Sequence, residues 1–262
     1  MSQETTAAKL IAAARGANTV LVPLPEHCRP QTEDDGYSVQ EVLHGVFKDD
    51  LGGRRVGYKI GCTNPVMQKN LGIDQPCGGS VSNRLVHRNH LETPLTNYVK
   101  PGVECEIGVI LARDLDPTDA PFDRTNITDM ISAVMAAIEI VDNRYEGGPA
   151  IGVPTLIADD FYNAGAVLGE QMTEWQGIDL AALNGRVMVD SVEQDAGKGA
   201  AVMGHPLEAV AWFLNMKAAR GEILKEGEFI LTGTLTMVQW IDEPCTVTIE
   251  IDQLGSLGVT FT

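Results

Sequence analysis

Val103-Glu104-Cys105-Glu106-Ile107-Gly108-Val109-Ile110-Leu111 is the stretch from which the rest of the chain can be read. Its apolar tail reads as a β-strand, in which alternate side chains share a face. Glu104 and Glu106 therefore point the same way, with Cys105 opposite. Adjacent carboxylates repel, and burying either one unpaired is costly. Solvent, basic side chains or a cation must neutralise them. A third acid, Glu139, sits in another apolar run, Ala136-Ala137-Ile138-Glu139-Ile140-Val141. Three convergent carboxylates, with water and substrate oxygens completing the shell, suit Mg²⁺ or Mn²⁺. On spacing alone a solvated strand face is the commoner reading, because E-x-E recurs by chance.

The chain has 262 residues, 44% of them hydrophobic, which is ample for one large domain or for one domain with an appendage. No apolar run reaches membrane-spanning length. The opening Met1-Ser2-Gln3-Glu4 lacks the basic start and apolar block of a secretory signal. The five cysteines (Cys28, Cys62, Cys77, Cys105, Cys245) are scattered, and no pair has C-x-x-C spacing. Neither a disulfide framework nor a zinc site is indicated, and a reducing cytoplasm is the expected setting. The net charge of −17 repels nucleic acid. It also repels anionic substrates at long range, so a carboxylate substrate needs local positive charge.

Outward from the E-x-E strand, the first fifty residues read as a helical preface. Ala7, Leu10, Ile11 and Ala14 have helical spacing, and Pro23 to Pro30 is a proline-broken arm. Ser38-Val39-Gln40-Glu41 is a capping-box pattern that predicts a helix with Val39, Val42, Leu43, Val46 and Phe47 inward. Val56, Tyr58 and Ile60 alternate with Gly57, Lys59 and Gly61, as in a strand with one apolar face. Residues 63–90, rich in Gly, Asn and Pro, read as a long lid or binding loop. The spacing of Ile127, Ile131, Val134, Met135 and Ile138 predicts an amphipathic helix, followed by a strand over Glu139–Asp142. Further strands are expected at Ala164–Gly169, Arg186–Val192, Phe229–Leu231, Cys245–Ile251 and Gly258–Phe261. Pro206 opens a helix running to Arg220, and Gly221 ends it. His205 reads as its cap, while His27, His44, His87 and His90 lack a clear partner. Short strands with interspersed helices indicate an α+β fold with a β-rich core.

The motifs Gly57-Tyr58-Lys59-Ile60-Gly61, Gly72-Ile73-Asp74-Gln75-Pro76, Pro101-Gly102-Val103-Glu104-Cys105-Glu106 and Glu139-Ile140-Val141-Asp142-Asn143-Arg144 occur in that order. Gly204-His205-Pro206-Leu207-Glu208 and Ile230-Leu231-Thr232-Gly233-Thr234 follow. From about Gly36 onward the chain resembles the 2-keto-4-pentenoate hydratase and 4-oxalocrotonate decarboxylase family of the fumarylacetoacetate hydrolase superfamily. The resemblance implies that superfamily's rolled mixed β-sheet with flanking helices, carried by a catalytic domain over residues 51–262 behind a preface over 1–50. It implies that Glu104, Glu106 and Glu139 hold Mg²⁺ or Mn²⁺, which chelates the carboxylate and 2-oxo group of the substrate. It makes Lys59 a site cation that offsets substrate charge or assists proton transfer. Asp74 is implied as an acid/base or supporting group, although a turn role before Pro76 fits equally. Thr232, Gly233 and Thr234 are implied as a turn whose hydroxyl and N–H groups bind substrate carboxylate oxygens. Asp142 and Arg144 match a family segment, and an ordinary strand-end ion pair also accounts for them.

The implied activity is addition of water to a 2-hydroxydienoate or 2-oxo-enoate, as in meta-cleavage degradation of aromatic compounds. The alternatives are decarboxylation of an oxo-diacid, C–C hydrolysis of an acylpyruvate, and a non-catalytic partner subunit. The resemblance also implies a homo-oligomer, associated with a related decarboxylase or aldolase. Two segments depart from the family pattern. Cys77 stands where an aspartate is usual, and Asp159-Asp160-Phe161-Tyr162-Asn163 replaces a D-N-A-S segment. Both are expected to line the substrate. Tyr162 reads as a proton donor or a space-filling wall, and Cys77 as a small wall or a reactive thiol.

Overall fold

The computed structural model describes residues 1–51 and 53–262, the side chains of 49–51 apart. In chain order the helices are α1 (Gln3–Gly16), α2 (Glu33–Leu51), α3 (Pro65–Leu71), α4 (Val153–Ala158) and α5 (Pro206–Ala219). The strands begin with β1 (Arg55–Gly61), β2 (Cys77–Ser82), β3 (Val86–Arg88), β4 (His90–Thr93), β5 (Pro101–Leu111), β6 (Ile131–Asp142) and β7 (Asn163–Leu168). They continue with β8 (Asn184–Val189), β9 (Val192–Lys198), β10 (Phe229–Thr234), β11 (Gln239–Trp240), β12 (Cys245–Ile251) and β13 (Gly255–Phe261). The result is the mixed α+β architecture that the strand-rich order indicates.

One sheet runs β2-β1-β10-β5-β6-β7-β3, with β11 added beside β5. β1 and β10 are parallel, as are β3 and β7, and the other pairs are antiparallel. β2 and β7, far apart along that path, lie in contact, so the sheet is rolled. The second sheet, β4-β13-β12-β8-β9, covers its outer face. Val103, Cys105, Ile107, Ile138 and Ile140 point outward into the main core with Val247, Ile249 and Val259. Inside the roll a smaller cluster of Met135, Ala137, Ala166, Phe229 and Leu231 fills the floor. Space there is tight: a Cβ on Gly57 would lie 2.5 Å from the Phe229 ring.

Several expectations are corrected. The segment read as a helix from Ile127 to Ile138 is β6, continuous with the expected strand at Glu139. Nearly all of β6 is buried on both faces, so its apolar run has no polar side to betray a period of two. α2 begins at Glu33, five residues before the proposed cap. Ser38 lies inside the helix and donates to the Asp34 carbonyl. The start is set by Thr32 and Asp35, which cap each other's backbone N–H groups at 3.1 and 2.9 Å. Residues 63–90 are not a lid loop. They form α3, β2 and β3, and the glycines there are packing features of β2. A Cβ on Gly78 would lie 2.9 Å from the Phe213 ring, and one on Gly79 would lie 2.7 Å from the Asp160 carbonyl oxygen. The strand expected over Arg186–Val192 is a hairpin, split by Asp190 and Ser191 at φ +48° and +68°.

α1, α2 and α4 share one apolar cluster, in which Ala7, Ile11, Leu43, Leu156 and Phe161 meet Cys77 at the end of β2. The N-terminal helices are thus packed against the elements that carry the departing segments. The boundary expected at 50/51 abuts Gly52, which lies outside the described residues.

Candidate active site

β5 and β6 pair antiparallel with Glu104 directly opposite Glu139, and Glu106 opposite Ala137. Opposed residues share a face, so all three acids face the inside of the roll. One carboxylate oxygen from each lies within 4.8 Å of the others, a group able to hold a metal ion. Glu106 and Glu139 are fully buried. Glu106 Oε1 and Glu139 Oε2 have no hydrogen-bond partner. Buried polar atoms are rarely left so, and two orphaned anionic oxygens beside a third carboxylate are the donor set of a hard divalent cation.

The second oxygens are tethered. Glu106 Oε2 accepts the Gly233 N–H at 2.7 Å. β10 makes this possible through a bulge: Leu231 pairs with Gly108 and Thr234 with Glu106, leaving one extra residue between them. Gly233 takes φ +112°, and a Cβ there would strike the Thr63 side chain at 2.5 Å. Glu139 Oε1 accepts from Asn163 Nδ2 at 3.0 Å and pairs with Lys59 Nζ at 3.2 Å. Lys59 also donates to the Phe161 carbonyl at 2.9 Å and lies over the Phe161 ring.

Charge is therefore concentrated and poorly hydrated. Burial raises the Glu139 carboxyl to about 7 despite the opposing attraction of Lys59. Burial, then repulsion from Glu139 and Glu104, pushes Glu106 well above the usual carboxylate range. Glu104 is raised by burial as well. For Lys59 burial acts to lower the ammonium, but Glu139, Glu104 and Glu106 outweigh it and raise it. One buried cation facing three carboxylates leaves negative charge that protons or a metal must balance.

The remaining sequence candidates divide. Tyr162 lies beside Phe161 and stacks edge-on against Tyr145. Burial pushes its phenol up to about 12, so it stays protonated. Cys77 is fully buried at the head of β2. The neighbouring Cys62 thiol, then burial, drives the Cys77 thiol far upward, which fits a wall and not a nucleophile. Asp74 is exposed on the rim of a pocket of about 490 Å³, lined also by Thr63, Gln68, Met203 and Trp212. Thr63, in the same lining, packs against Gly233, whose N–H donates to Glu106. At the turn Thr232-Gly233-Thr234 both hydroxyls and the Gly233 N–H already have protein partners. Thr232 and Thr234 donate to the Ile107 and Thr236 carbonyls at 3.0 Å, and Gly233 serves Glu106. His205 caps α5, its Nδ1 accepting from Leu207 N–H at 3.0 Å.

Arg144 does not pair with Asp142. Its Nε binds Asp159 at 3.0 Å, while Asp142 accepts the Val99 and Lys100 N–H groups. Arg144 and Asp159 are both buried. Asp159→Ala is therefore expected to cost about 3–5 kcal/mol, because Arg144 keeps its charge without the counter-charge. A urea midpoint near wild type in the variant would show the pair to be dispensable.

The profile described as fumarylacetoacetate (FAA) hydrolase C-terminal matches residues 81–262. The chain is 33% identical over 268 residues to a 2-keto-4-pentenoate hydratase of Burkholderia vietnamiensis, covering 100% of both chains. It belongs to the 2-keto-4-pentenoate hydratase and 4-oxalocrotonate decarboxylase family, within the fumarylacetoacetate hydrolase superfamily. A 4-oxalocrotonate decarboxylase of Pseudomonas putida is 30% identical over 233 residues, covering 87% of this chain and 84% of that one. The solved structure of 4-oxalocrotonate decarboxylase from Pseudomonas putida G7, complexed with magnesium and adipate, superposes with a TM-score of 0.90. Its sequence identity is 25%, with 99% of this chain and 97% of that one covered.

Within this hydratase and decarboxylase family, the chain's departing segment holds residues that the sequence left unassigned. Asn163 bridges to Glu139, and its Oδ1 is buried without a partner. Asp160 is bound by His44 and Arg15 from α2 and α1. Burial pushes its carboxyl up, but His44, Arg15 and the Ser80 N–H outweigh burial and hold it at about 2. The folded-state value lies below the ordinary 3.8, so ionised Asp160 stabilises the fold above that value. The contribution, on the order of 2 kcal/mol, is lost as pH falls toward about 2. Acid unfolding of Asp160→Asn should lack this step; an unchanged acid midpoint would contradict it.

Proposed function

We infer that this chain is a divalent-metal-dependent hydro-lyase that adds water to a 2-hydroxydienoate, reacting as its 2-oxo-enoate, in meta-cleavage degradation of aromatic compounds. The observation that carries the reading is the buried carboxylate cluster with its two unpartnered oxygens. Glu104, Glu106 and Glu139 would hold Mg²⁺ or Mn²⁺. When bound, such a cation supplies Lewis acidity toward the carboxylate and 2-oxo oxygens of a keto acid.

The chain's own groups account for the rest. Gly233 and Asn163 each hold one carboxylate oxygen, which leaves the other oxygen of Glu106 and Glu139 turned inward. Lys59 keeps a fixed positive charge where the net charge of −17 would otherwise repel an anionic substrate. We assign its ammonium the further role of assisting proton transfer as water adds to the far carbon of the conjugated acid. Tyr162, neutral and half-buried, closes the same side and can donate a proton or exclude water. Asp74 sits at the rim, where it would act on substrate entry or through solvent.

A second reading is decarboxylation of an oxo-diacid, favoured by the close superposition on a 4-oxalocrotonate decarboxylase. Hydration and decarboxylation need the same electron sink. We also propose a homo-oligomer, associated with a related decarboxylase or aldolase, in a cytoplasm that keeps its five free cysteines reduced. Residues 1–50 would serve as a preface to a catalytic domain over 51–262.

Product identification tests the reading. Purified protein with Mg²⁺ or Mn²⁺ is expected to convert 2-hydroxypenta-2,4-dienoate to 4-hydroxy-2-oxopentanoate. Release of CO₂ from an oxo-diacid without hydration of the dienoate would favour the decarboxylase, and inactivity on both would reject the metal-dependent lyase.

A further inference from the structure

Asp160, Phe161 and Tyr162 occupy left-handed backbone in succession, at φ +54°, +49° and +71°. None is a glycine. Non-glycine residues rarely enter that region, and a run of three persists only where the surroundings over-determine it. Arg15 and Arg144 hold the flanking Asp159 and Asn163 carbonyls, and within the turn the contacts meet on one side chain, Asp160. Asp160 Oδ1 accepts the Ser80 N–H of β2 at 2.9 Å. His44 Nε2 of α2 lies 3.0 and 2.9 Å from the two carboxylate oxygens, and Arg15 Nη1 of α1 lies 3.3 Å from Oδ2. Gly79 presses on the turn from below, its missing Cβ leaving room for the Asp160 carbonyl and the Lys59 stem at once.

The turn's product is the Phe161 carbonyl, aimed at Lys59 Nζ. That carbonyl and Glu139 are the two oxygen partners that hold the ammonium. We propose that Asp160 is a positioning residue: clamped by His44 and Arg15, it fixes the left-handed turn that delivers the Phe161 carbonyl to Lys59 and so aims the ammonium into the carboxylate cluster. The N-terminal helices thereby reach the site through a side chain whose hydrogen bonds and ion pairs go to Arg15, His44 and Ser80 and not to Glu104, Glu106 or Glu139. The activity arm of the test rests on the role given to Lys59 above, and the labelling arm does not.

Asp160→Gly relieves the backbone strain at that position but deletes the clamp. Asp160→Asn keeps the size and one acceptor oxygen, and His44→Leu removes the main partner should the glycine variant fail to fold. Metal-loaded proteins are treated briefly with an acetylating reagent, and Lys59 labelling is measured by mass spectrometry. Lys217 is the internal control, since it is equally buried and paired instead with Glu222. Labelling of Lys59, and not of Lys217, is expected to rise at least about tenfold in Asp160→Gly and His44→Leu through local opening. With metal affinity unchanged, kcat is expected to fall about 100-fold, the effect of a small misplacement, and Asp160→Asn to recover most of it. Lys59 remaining as protected as Lys217 in both variants, or the two lysines becoming reactive together, would overturn the proposal in favour of a structural ion cluster. Selective exposure of Lys59 with unchanged turnover would uphold the positioning role and remove Lys59 from the proposed chemistry.

Discussion

Glu106→Gln is expected to abolish turnover and weaken Mn²⁺ binding more than about 100-fold, beyond the loss seen when only a ligand's supporting partner is removed. The metal-free variant should nevertheless unfold at a higher temperature than the metal-free wild type. Glu106 is fully buried, and its carboxyl is pushed upward by burial and by Glu139 and Glu104. A neutral amide of the same shape relieves that repulsion, and the carbonyl oxygen can still accept the Gly233 N–H. Loss of function joined to a gain in metal-free stability marks a site kept strained for its ligand. Glu139→Gln should behave likewise, with a smaller gain because its pairing with Lys59 is lost. A drop in metal-free thermal stability without loss of metal affinity would assign these acids a structural role.

Lys59→Met should lower kcat by about 10²–10⁴-fold, the usual range for a group that assists proton transfer. Metal affinity should hold or rise, since a positive charge is removed from beside the cluster. The lysine is 2% exposed, so methionine fills the stem's space while the Phe161 carbonyl loses its donor. Some stability is lost for that reason, about 1–3 kcal/mol for a buried group left unpaired. Wild-type kcat and KM in the variant would reduce Lys59 to a counter-ion for Glu139.

The metal-ligand candidates were legible because strand alternation is local. Glu104 and Glu106 are two residues apart, and any β-strand puts them on one face. Glu139 was harder. Its neighbours from Ile131 to Ile138 fit a helical period as well as a buried strand, and only pairing with β5 decides between them. The resemblance supplied what periodicity could not. The turn at Asp160–Tyr162 was illegible for a different reason. Its conformation is imposed by Arg15, His44 and Ser80, which lie 80 to 145 residues away in sequence. Likewise, nothing in T-G-T signals that the hydroxyls would be spent on backbone carbonyls while a bulge turns Gly233 toward Glu106. Glycines 78 and 79 were read as loop residues, but they are bare because Phe213 and the Asp160 carbonyl need the space.

Glu104, Glu106 and Glu139 are expected to hold one divalent cation jointly. Crystals grown with Mn²⁺, with diffraction recorded at the manganese absorption edge, test it most directly. The expected result is a single strong anomalous peak per chain within bonding distance of all three carboxylates, contacting Glu106 Oε1 and Glu139 Oε2. A peak elsewhere, or none at saturating Mn²⁺, would show that the three carboxylates are not a metal site.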